Sequence, residues 1–136
     1  MIWSFQVRTS GKTEFVDITP LVREVVQKSK VQEGICHVFI PHTTAGVTIN
    51  ENADPSVSED MDMELKKIVP FQDRYRHLEG NAAAHIKTSL VGSSQTVFVE
   101  LGELFLGTWQ GVFLCEFDGP RNRNVCIKVV KTEEKG

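Results

Sequence analysis

Residues 34–54 of the chain, GICHVFIPHTTAGVTINENAD, decide its fold class. Two runs in this stretch, Ile35–Ile40 and Gly46–Asn50, are rich in the β-branched and aromatic residues that favour strands. The Pro-His-Thr-Thr sequence between the runs is typical of a turn. We therefore expect a hairpin that carries His42 out and brings Asn50 back beside it.

The sequence before this stretch predicts two more strands and a helix. Strand-like segments at Trp3–Thr9 and Glu14–Ile18 flank a Ser-Gly-Lys turn, whose glycine suits a tight hairpin. Thr19 is placed to cap a helix, and Pro20 fits the first turn of that helix. Four residues recur at helical spacing and predict its buried side: Ile18, Val22, Val25 and Ser29.

Two more helices are predicted after the quoted stretch. Asp54-Pro55 and the capping box Ser56-x-x-Glu59 predict the start of the first helix, and Pro70 predicts its end. The second helix runs from Ala82 to Val91 and is closed by Gly92. We expect each helix to bury one apolar stripe, formed by Val57, Met61, Leu65 and Ile68 in the first and by Ala83, Ile86 and Leu90 in the second.

The remainder of the chain is strand-like, and Lys131–Gly136 is predicted to be a frayed tail. Strands at both ends with helices between them predict an α+β fold with mostly antiparallel sheet. The 136 residues fit a single domain over residues 1–136. The late strands are predicted at Thr96–Leu101, Leu104–Leu106, Gln110–Glu116 and Asn124–Val130.

Composition narrows the classes of partner. No apolar run approaches the roughly 18 residues of a membrane span, and the net charge of −3 lacks the basic excess that nucleic-acid binding usually requires. We expect neither a membrane nor a nucleic acid as partner. Cys36, Cys115 and Cys126 form no C-x-x-C pair, so we expect free structural thiols and a cytoplasmic protein.

The first candidate site lies in the quoted stretch itself. His42 at the strand junction, with Glu51 and Asp54 after the second strand, offers a nitrogen and carboxylates that suit a divalent cation. The structural alternative is that the threonines and Asn50 satisfy the turn backbone while Asp54 caps a helix.

The second candidate site is the stretch from Arg76 to Lys87. His77 precedes the third helix and His85 lies one turn inside it, so the two histidines flank a helix N-terminus suited to a phosphate or carboxylate. They are alternatively a metal-binding pair, or two hydrogen-bonded structural histidines. The fourth histidine, His37, lies inside an alternating strand and is predicted to be a surface or satisfied residue.

A third group of candidates lies late in the chain. Arg121 and Arg123 point to the same side if the backbone is extended, and two guanidinium groups suit a phosphate. An ion pair with Glu116 or Asp118 is the alternative. Trp109 is either a ring-stacking platform or a contact in the core or between subunits.

Four long motifs carry a resemblance to a known family. They begin at His42 (His-Thr-Thr, then Thr-x-Asn-Glu-Asn-Ala-Asp-Pro), at His77 (His-x-x-Glu-Gly-Asn), at Ala84 (Ala-His-Ile-Lys) and at Leu106 (Leu-Gly-Thr-Trp-Gln-Gly). With these motifs, which span nearly the whole chain, the sequence resembles the YjbQ-like family, also called the secondary thiamine-phosphate synthase family. The resemblance implies a two-layer sandwich of sheets, a homotrimer, and a histidine-rich site that binds metal near a subunit boundary.

The resemblance also implies an activity, in which hydroxymethylpyrimidine diphosphate is joined to hydroxyethylthiazole phosphate with release of diphosphate. Under this hypothesis a divalent ion, zinc or magnesium, is bound by Glu51, Asp54 and the histidines. The remaining candidates contact the phosphates and the pyrimidine or assist the chemistry: Glu79, Lys87, Trp109, Arg121 and Arg123. Two alternatives remain open, a trimer that binds metal or a phosphorylated metabolite without turnover, and a metal-dependent hydrolase.

Overall fold

Two antiparallel sheets and three helices make up the part of the chain that the computed structural model describes, residues 1–132. This arrangement confirms the predicted α+β class and the two-layer sandwich of antiparallel sheets. The elements follow in the order β1 (Trp3–Arg8), β2 (Glu14–Asp17), α1 (Thr19–Ser29), β3 (Gly34–Phe39), β4 (Ala45–Glu51), α2 (Pro55–Ile68), α3 (Ala82–Val91), β5 (Ser94–Glu100), β6 (Glu103–Leu104), β7 (Gln110–Glu116) and β8 (Asn122–Lys131).

The core lies between the two sheets and is closed by α1. One sheet has five strands in the order β1-β8-β3-β5-β6, and the other has three in the order β2-β7-β4. Val38 and Ile127 from the first sheet and Val47 and Leu114 from the second are fully buried, together with Val25 of α1. Burying a side chain of this kind stabilises the fold by about 1.5–3 kcal/mol.

Both predicted hairpins are wrong. β1 pairs with β8 while β2 pairs with β7, and β3 belongs to the five-stranded sheet while β4 belongs to the other. Asn50 therefore does not return beside His42. Alternation along a strand reports which face is buried, but it does not identify the neighbouring strand. Here each short connection crosses the sandwich instead of turning back within one sheet.

The helix starts agree with the predicted caps only in part. Ile18, not Thr19, is the N-cap of α1, because the Thr19 hydroxyl is used in tertiary contacts: it donates to Asp17 and accepts from the backbone N–H of Val112 at 2.8 Å. In α2 the cap is Asp54, whose carboxylate accepts from the backbone N–H of Ser56 at 2.9 Å. This confirms the structural alternative given for Asp54, whereas the Ser56 hydroxyl donates to Asp54 instead of forming the predicted capping box.

The buried face of α3 is also not the one predicted. Of the predicted stripe only Ala83 is buried. Ile86 and Leu90 are exposed, and the helix buries Ala84, Lys87 and Thr88 in their place. Small residues allow this side of the helix to lie close to the three-stranded sheet, where Ala84 packs with Cys115 and Phe117.

In α2 the predicted stripe is only half-buried, and Ile68 at its end is exposed.

A close backbone contact fixes the end of α3. The Gly92 carbonyl accepts from the backbone N–H of Val47 at 3.0 Å, and a Cβ at position 46 would lie only 2.4 Å from the same oxygen. Gly46 thus lets the helix end approach β4.

The structure also bears on three further predictions, which concern the cysteines, membrane-spanning helices and the frayed tail. Cys36 and Cys115 are buried free thiols, with burial raising their pKa values to about 11 and about 12, whereas Cys126 is half-buried. Within residues 1–132, every helix is too short or too polar to cross a membrane. The predicted tail begins too early, since Lys131 pairs with Gly34 in the sheet, and its residues 133–136 lie outside the described residues.

Candidate functional site

One end of the sandwich interior is closed by a buried ion pair. Arg123 of β8 donates from Nε to Glu116 of β7 at 2.8 Å and from Nη2 to the other carboxylate oxygen of Glu116. Nη2 also donates to the Thr44 hydroxyl at 2.8 Å, and the Thr9 hydroxyl donates to Glu116 at 2.7 Å. The predicted alternative of an ion pair with Glu116 is therefore what Arg123 forms.

The charge on Glu116 is stabilised despite its burial. Burial by itself raises the pKa of Glu116, but hydrogen bonds from Arg123, from the Thr9 hydroxyl and from the amide of Asp118 outweigh that effect and hold the pKa below its usual range. Buried charges with complete partners are stable only in a fixed geometry. The pair therefore forms a rigid wall behind the site.

Asp118 links three segments at the same end of the molecule. Its carboxylate accepts from Lys12 at 3.0 Å, from Asn81 at 2.9 Å and from Arg121 at 2.9 Å. Burial by itself raises the pKa of Asp118, but these three donors outweigh that effect and lower the pKa to about 2. The loop after β1, the start of α3 and the start of β8 are thus joined by one ionised carboxylate.

His42 is anchored by its ring nitrogen. Its Nε2 accepts from the backbone N–H of Asn124 at 2.8 Å, so the proton of the neutral ring is on Nδ1. Burial lowers the pKa of His42, and the charges of Arg123 and Arg121 lower it further, against an opposing effect of Glu116. His42 is therefore a neutral side chain that offers an N–H donor.

His77 and His85 lie together. Their ring centroids are 5.1 Å apart and the ring planes are nearly perpendicular, at 87°. His77 is exposed in the loop before α3, and His85 is half-buried in the first half of the helix. With His42 they line one cleft of about 320 Å³, which we call the histidine cleft and which is formed by His42, Thr43, Thr44, His77, Glu79, Asn81, His85, Arg121 and Arg123.

Asn81 was not among the predicted site residues, but it also lines this cleft. Its side chain is 7% exposed, and its amide donates to Asp118, yet its Oδ1 is buried without a hydrogen-bond partner in the described part of the chain. The Gly80-Asn81 pair indicated only a helix start. A buried acceptor without a partner costs free energy, so Asn81 is suited to accept from a bound ligand.

Arg121 is the more accessible of the two arginines. Its Nε donates to the Asp118 carbonyl at 2.7 Å and its Nη2 to the Asp118 carboxylate, but half of the side chain is exposed to solvent. Its remaining nitrogen, Nη1, makes no hydrogen bond within residues 1–132. Arg121 can therefore reach an anion while Asp118 holds its guanidinium in place.

Three predicted site residues lie at the other end of β4. The strand rises about 3.4 Å per residue, so Glu51 is about 20 Å from Ala45, beside which the cleft begins. Glu51 pairs with Gln110, and the backbone N–H of Asn52 donates to the carbonyl of Trp109. Asp54 follows as the cap of α2. We call this region, residues Glu51, Asn52, Asp54 and Trp109, the far end of β4.

Lys87 is also not in the histidine cleft. It lines a different cavity, of about 410 Å³, with Lys12, Lys66, Phe71 and Phe117. Within one chain, therefore, the residues that line a common cleft are the three histidines, Glu79 and the two arginines. Glu51, Asp54, Trp109 and Lys87 do not join them.

A resident metal ion does not fit the donors of a single chain. Within residues 1–132, no three His, Cys, Asp or Glu side chains are arranged to hold a metal ion. The Nε2 atom of His42 is already occupied by the Asn124 amide. The cleft instead offers N–H, hydroxyl and guanidinium donors, which suit the oxygens of a phosphate.

Comparisons with known proteins agree on the family. The family model described as UPF0047 protein YjbQ-like matches residues 3–132. A UPF0047 protein of Methanocaldococcus jannaschii is 50% identical over 130 residues, covering 96% of this chain and 94% of the relative. The UPF0047 protein YugU of Bacillus subtilis is 48% identical over 131 residues, covering 96% of this chain and 99% of the relative.

Solved structures show the same fold. A crystal structure of an uncharacterized conserved protein of this family from Clostridium acetobutylicum has a TM-score of 0.93 and 52% identity, covering 94% of this chain and 99% of that one. A protein of unknown function from Sulfolobus solfataricus also has a TM-score of 0.93, with 32% identity and 97% of each chain covered. The chain belongs to the YjbQ-like UPF0047 family.

Proposed function

We propose that the histidine cleft binds a phosphorylated metabolite and catalyses a transfer reaction of the thiamine-phosphate synthase type. The observation that supports it is that three histidines and two arginines, distant in sequence, line a single cleft of about 320 Å³. Ligand cavities commonly have volumes of roughly 300–1,000 Å³, so a group the size of a diphosphate fits this space.

In the proposed reaction the ring nitrogen of the thiazole attacks the methylene carbon of hydroxymethylpyrimidine diphosphate. The new N–C bond forms as the C–O bond to the diphosphate breaks, and the leaving diphosphate takes the electron pair. In this proposal Arg121 and the Nδ1–H of His42 donate to its oxygens. Preorganised donors of this kind stabilise the charge that develops on a leaving group.

His77, His85 and Glu79 have a different role in this proposal. They lie at the more exposed side of the cleft, where a histidine that carries a proton can donate it to the leaving diphosphate. Asn81 Oδ1 accepts a hydrogen bond from the substrate, which supplies the partner that this buried atom otherwise lacks.

The divalent ion remains part of the proposal, in a modified form. Magnesium is commonly bound by one or two carboxylates together with substrate phosphates. We propose that it enters as the complex with the diphosphate substrate, with Glu79 as the nearby carboxylate. This arrangement does not require three protein ligands.

The test supplies both precursors and magnesium and measures thiamine phosphate. We expect His42→Ala and His85→Ala each to lower kcat by about 10²-fold or more, since general acid–base and leaving-group contacts contribute about 10²–10⁴-fold. His37→Ala is the matched control, because His37 lies outside the histidine cleft and contacts Thr96; since it is on the outer face of β3, its mass by light scattering is compared with that of the native chain. Unchanged product formation in both cleft variants would exclude this assignment. Thermal stabilisation by the precursors without product would support the binding protein instead.

We also propose that the protein self-associates, as a homotrimer, through the outer face of the five-stranded sheet. Ile35 of β3 is paired with Phe98 of β5 and with Val130 of β8, and Phe98, Val130 and the nearby Phe105 are 63%, 42% and 61% exposed. An exposed apolar row of this kind is typical of a subunit contact. Light scattering should give the mass of a trimer for the native chain and a smaller mass for Phe98→Asp.

A further inference from the structure

A second cavity lies near the start of α3 and has not been assigned a role. It has a volume of about 410 Å³ and is lined by Lys12, Thr13, Lys66, Phe71, Ala83, Ala84, Lys87 and Phe117, and we call it the lysine pocket. Its walls come from the loop after β1, from α2, from the loop after α2, from α3 and from the end of β7. Three ammonium groups and two phenyl rings thus surround one cavity.

Lys87 is the unusual member of this group. It is only 5% exposed, yet it forms no ion pair and no hydrogen bond with any residue from 1 to 132. Its Nζ lies 5.8 Å from the centroid of the Phe117 ring. The side chain as a whole is covered, but its Nζ is not among the fully buried polar atoms, so the ammonium is reachable from the cavity. The helix nevertheless buries this lysine while its own Ile86 and Leu90 are exposed.

The other two lysines of the pocket already have partners. Lys12 pairs with Asp118 at 3.0 Å, and Lys66 pairs with Asp62 at 2.8 Å. Burial lowers the pKa of Lys87, and the charge of Lys66 lowers it further, against an opposing effect of Asp62. Lys87 is therefore the ammonium group that remains available for an external anion, and Lys12 and Lys66 add to the positive potential around it.

The apolar walls indicate what else the ligand contains. Phe117 and Phe71 supply aromatic surface, with the Nζ of Lys12 only 4.8 Å from the Phe71 centroid, and Ala83 and Ala84 leave room beside the helix backbone. Inorganic phosphate would contact the lysines but leave this apolar surface unused. An aromatic or otherwise flat apolar body would bury this surface, which favours binding.

We propose that the lysine pocket is a second ligand site, in which Lys87 binds the anionic group of a small organic molecule whose flat apolar body packs against Phe71 and Phe117. The anionic group is a carboxylate or a phosphate monoester, both of which accept from an ammonium. This inference does not depend on the reaction proposed for the histidine cleft.

The experiment is a calorimetric titration of the full chain with phenyl phosphate, benzoate and inorganic phosphate. We expect phenyl phosphate to bind at least tenfold more tightly than inorganic phosphate. Lys87→Met keeps an unbranched side chain, one heavy atom shorter, but removes its charge, and it should weaken phenyl phosphate binding at least tenfold. Lys67→Met is the matched control, because Lys67 is an exposed lysine of the neighbouring helix that pairs with Glu64.

Two results would overturn the proposal: no binding of either aromatic anion at millimolar concentration, or equal affinity of the native chain and Lys87→Met. A second measurement on the native chain covers the case in which Lys87→Met does not fold. Amide shifts in a nuclear magnetic resonance titration should be largest at Ala83, Ala84 and Phe71. Shifts confined to His77, Thr43 and Arg121 would place the ligand in the histidine cleft and contradict a second site. Because the readout is binding, failure here is separate from failure of the transfer reaction.

Discussion

The two ends of β4 differ in what their polar residues contact. At the Ala45 end, Thr44 accepts from Arg123, which pairs with Glu116, and both partners are distant in sequence and buried. At the far end of β4, the polar contacts are mostly local: the Asn50 side chain accepts from the Glu51 amide, and Asp54 accepts from Ser56. The motif that begins at His42 thus runs from a rigid end of β4 with buried charged side chains to a solvent-exposed end. Density of polar residues in a sequence does not by itself define one site.

The largest expected difference between the two ends is in stability. Arg123→Ala would leave the Glu116 carboxylate buried without its main partner, which typically costs about 3–5 kcal/mol. Denaturant unfolding should show this loss in the free energy of unfolding. Replacing both residues by apolar ones, Arg123→Met with Glu116→Leu, should recover most of it. A loss below about 1 kcal/mol for Arg123→Ala would mean that the ion pair does not hold this end together.

A second prediction concerns pH. The pKa of Asp118 in the folded chain is about 2, below its ordinary value of 3.8. A depressed carboxyl pKa stabilises the fold above the unfolded value, so this contribution is complete above about pH 5 and is lost as the pH falls toward 2. Its size is about 2 kcal/mol. The difference in free energy of unfolding between the native chain and Asp118→Asn should therefore shrink between pH 5 and pH 2. A constant difference would contradict the assignment.

The smallest expected effect is at the far end of β4. Asp54→Ala removes the cap of α2 and should lower the melting temperature by a few degrees, because capping carboxylates satisfy free backbone N–H groups. Glu51→Ala is the matched control and should leave the melting temperature unchanged, because its side chain makes no hydrogen bond or ion pair within residues 1–132. A larger decrease in melting temperature for Glu51→Ala than for Asp54→Ala would contradict the prediction that the Asp54 cap is the main stabilising contact at the far end of β4.

The sequence was sufficient to predict the fold class and the approximate position of each helix. Hydrophobic periodicity and the Pro, Gly and Asp signals are local properties, and they marked α1, α2 and α3 within a few residues. Strand partners are not local. The pairing of Trp3 with Ile127 depends on which faces meet across the interior, and no feature near either residue encodes it.

The sequence predicted only part of the site, because the positions of the site residues also depend on contacts between distant parts of the chain. Arg121 and Arg123 are two residues apart along the chain at the start of β8, so both reach the histidine cleft. His85 and Lys87 are also two residues apart, but on a helix two steps turn about 200°, so the two side chains line different cavities. From the sequence, an ion pair with Glu116 was only one of two alternatives for Arg123, the other being a bound phosphate. Burial of the two side chains decides between these alternatives.

The pairing of β1 with β8 has a consequence for synthesis. Trp3–Arg8 leave the ribosome well before their hydrogen-bonding partners in Asn122–Ile127, which lie far later in the chain. At roughly 5–20 residues per second, the first strand waits on the order of 10 s without its neighbour. Non-local pairing of this kind also slows folding. During that interval the unpaired edge of Trp3–Arg8 is open to other chains, so a nascent-chain chaperone would act most usefully on this segment.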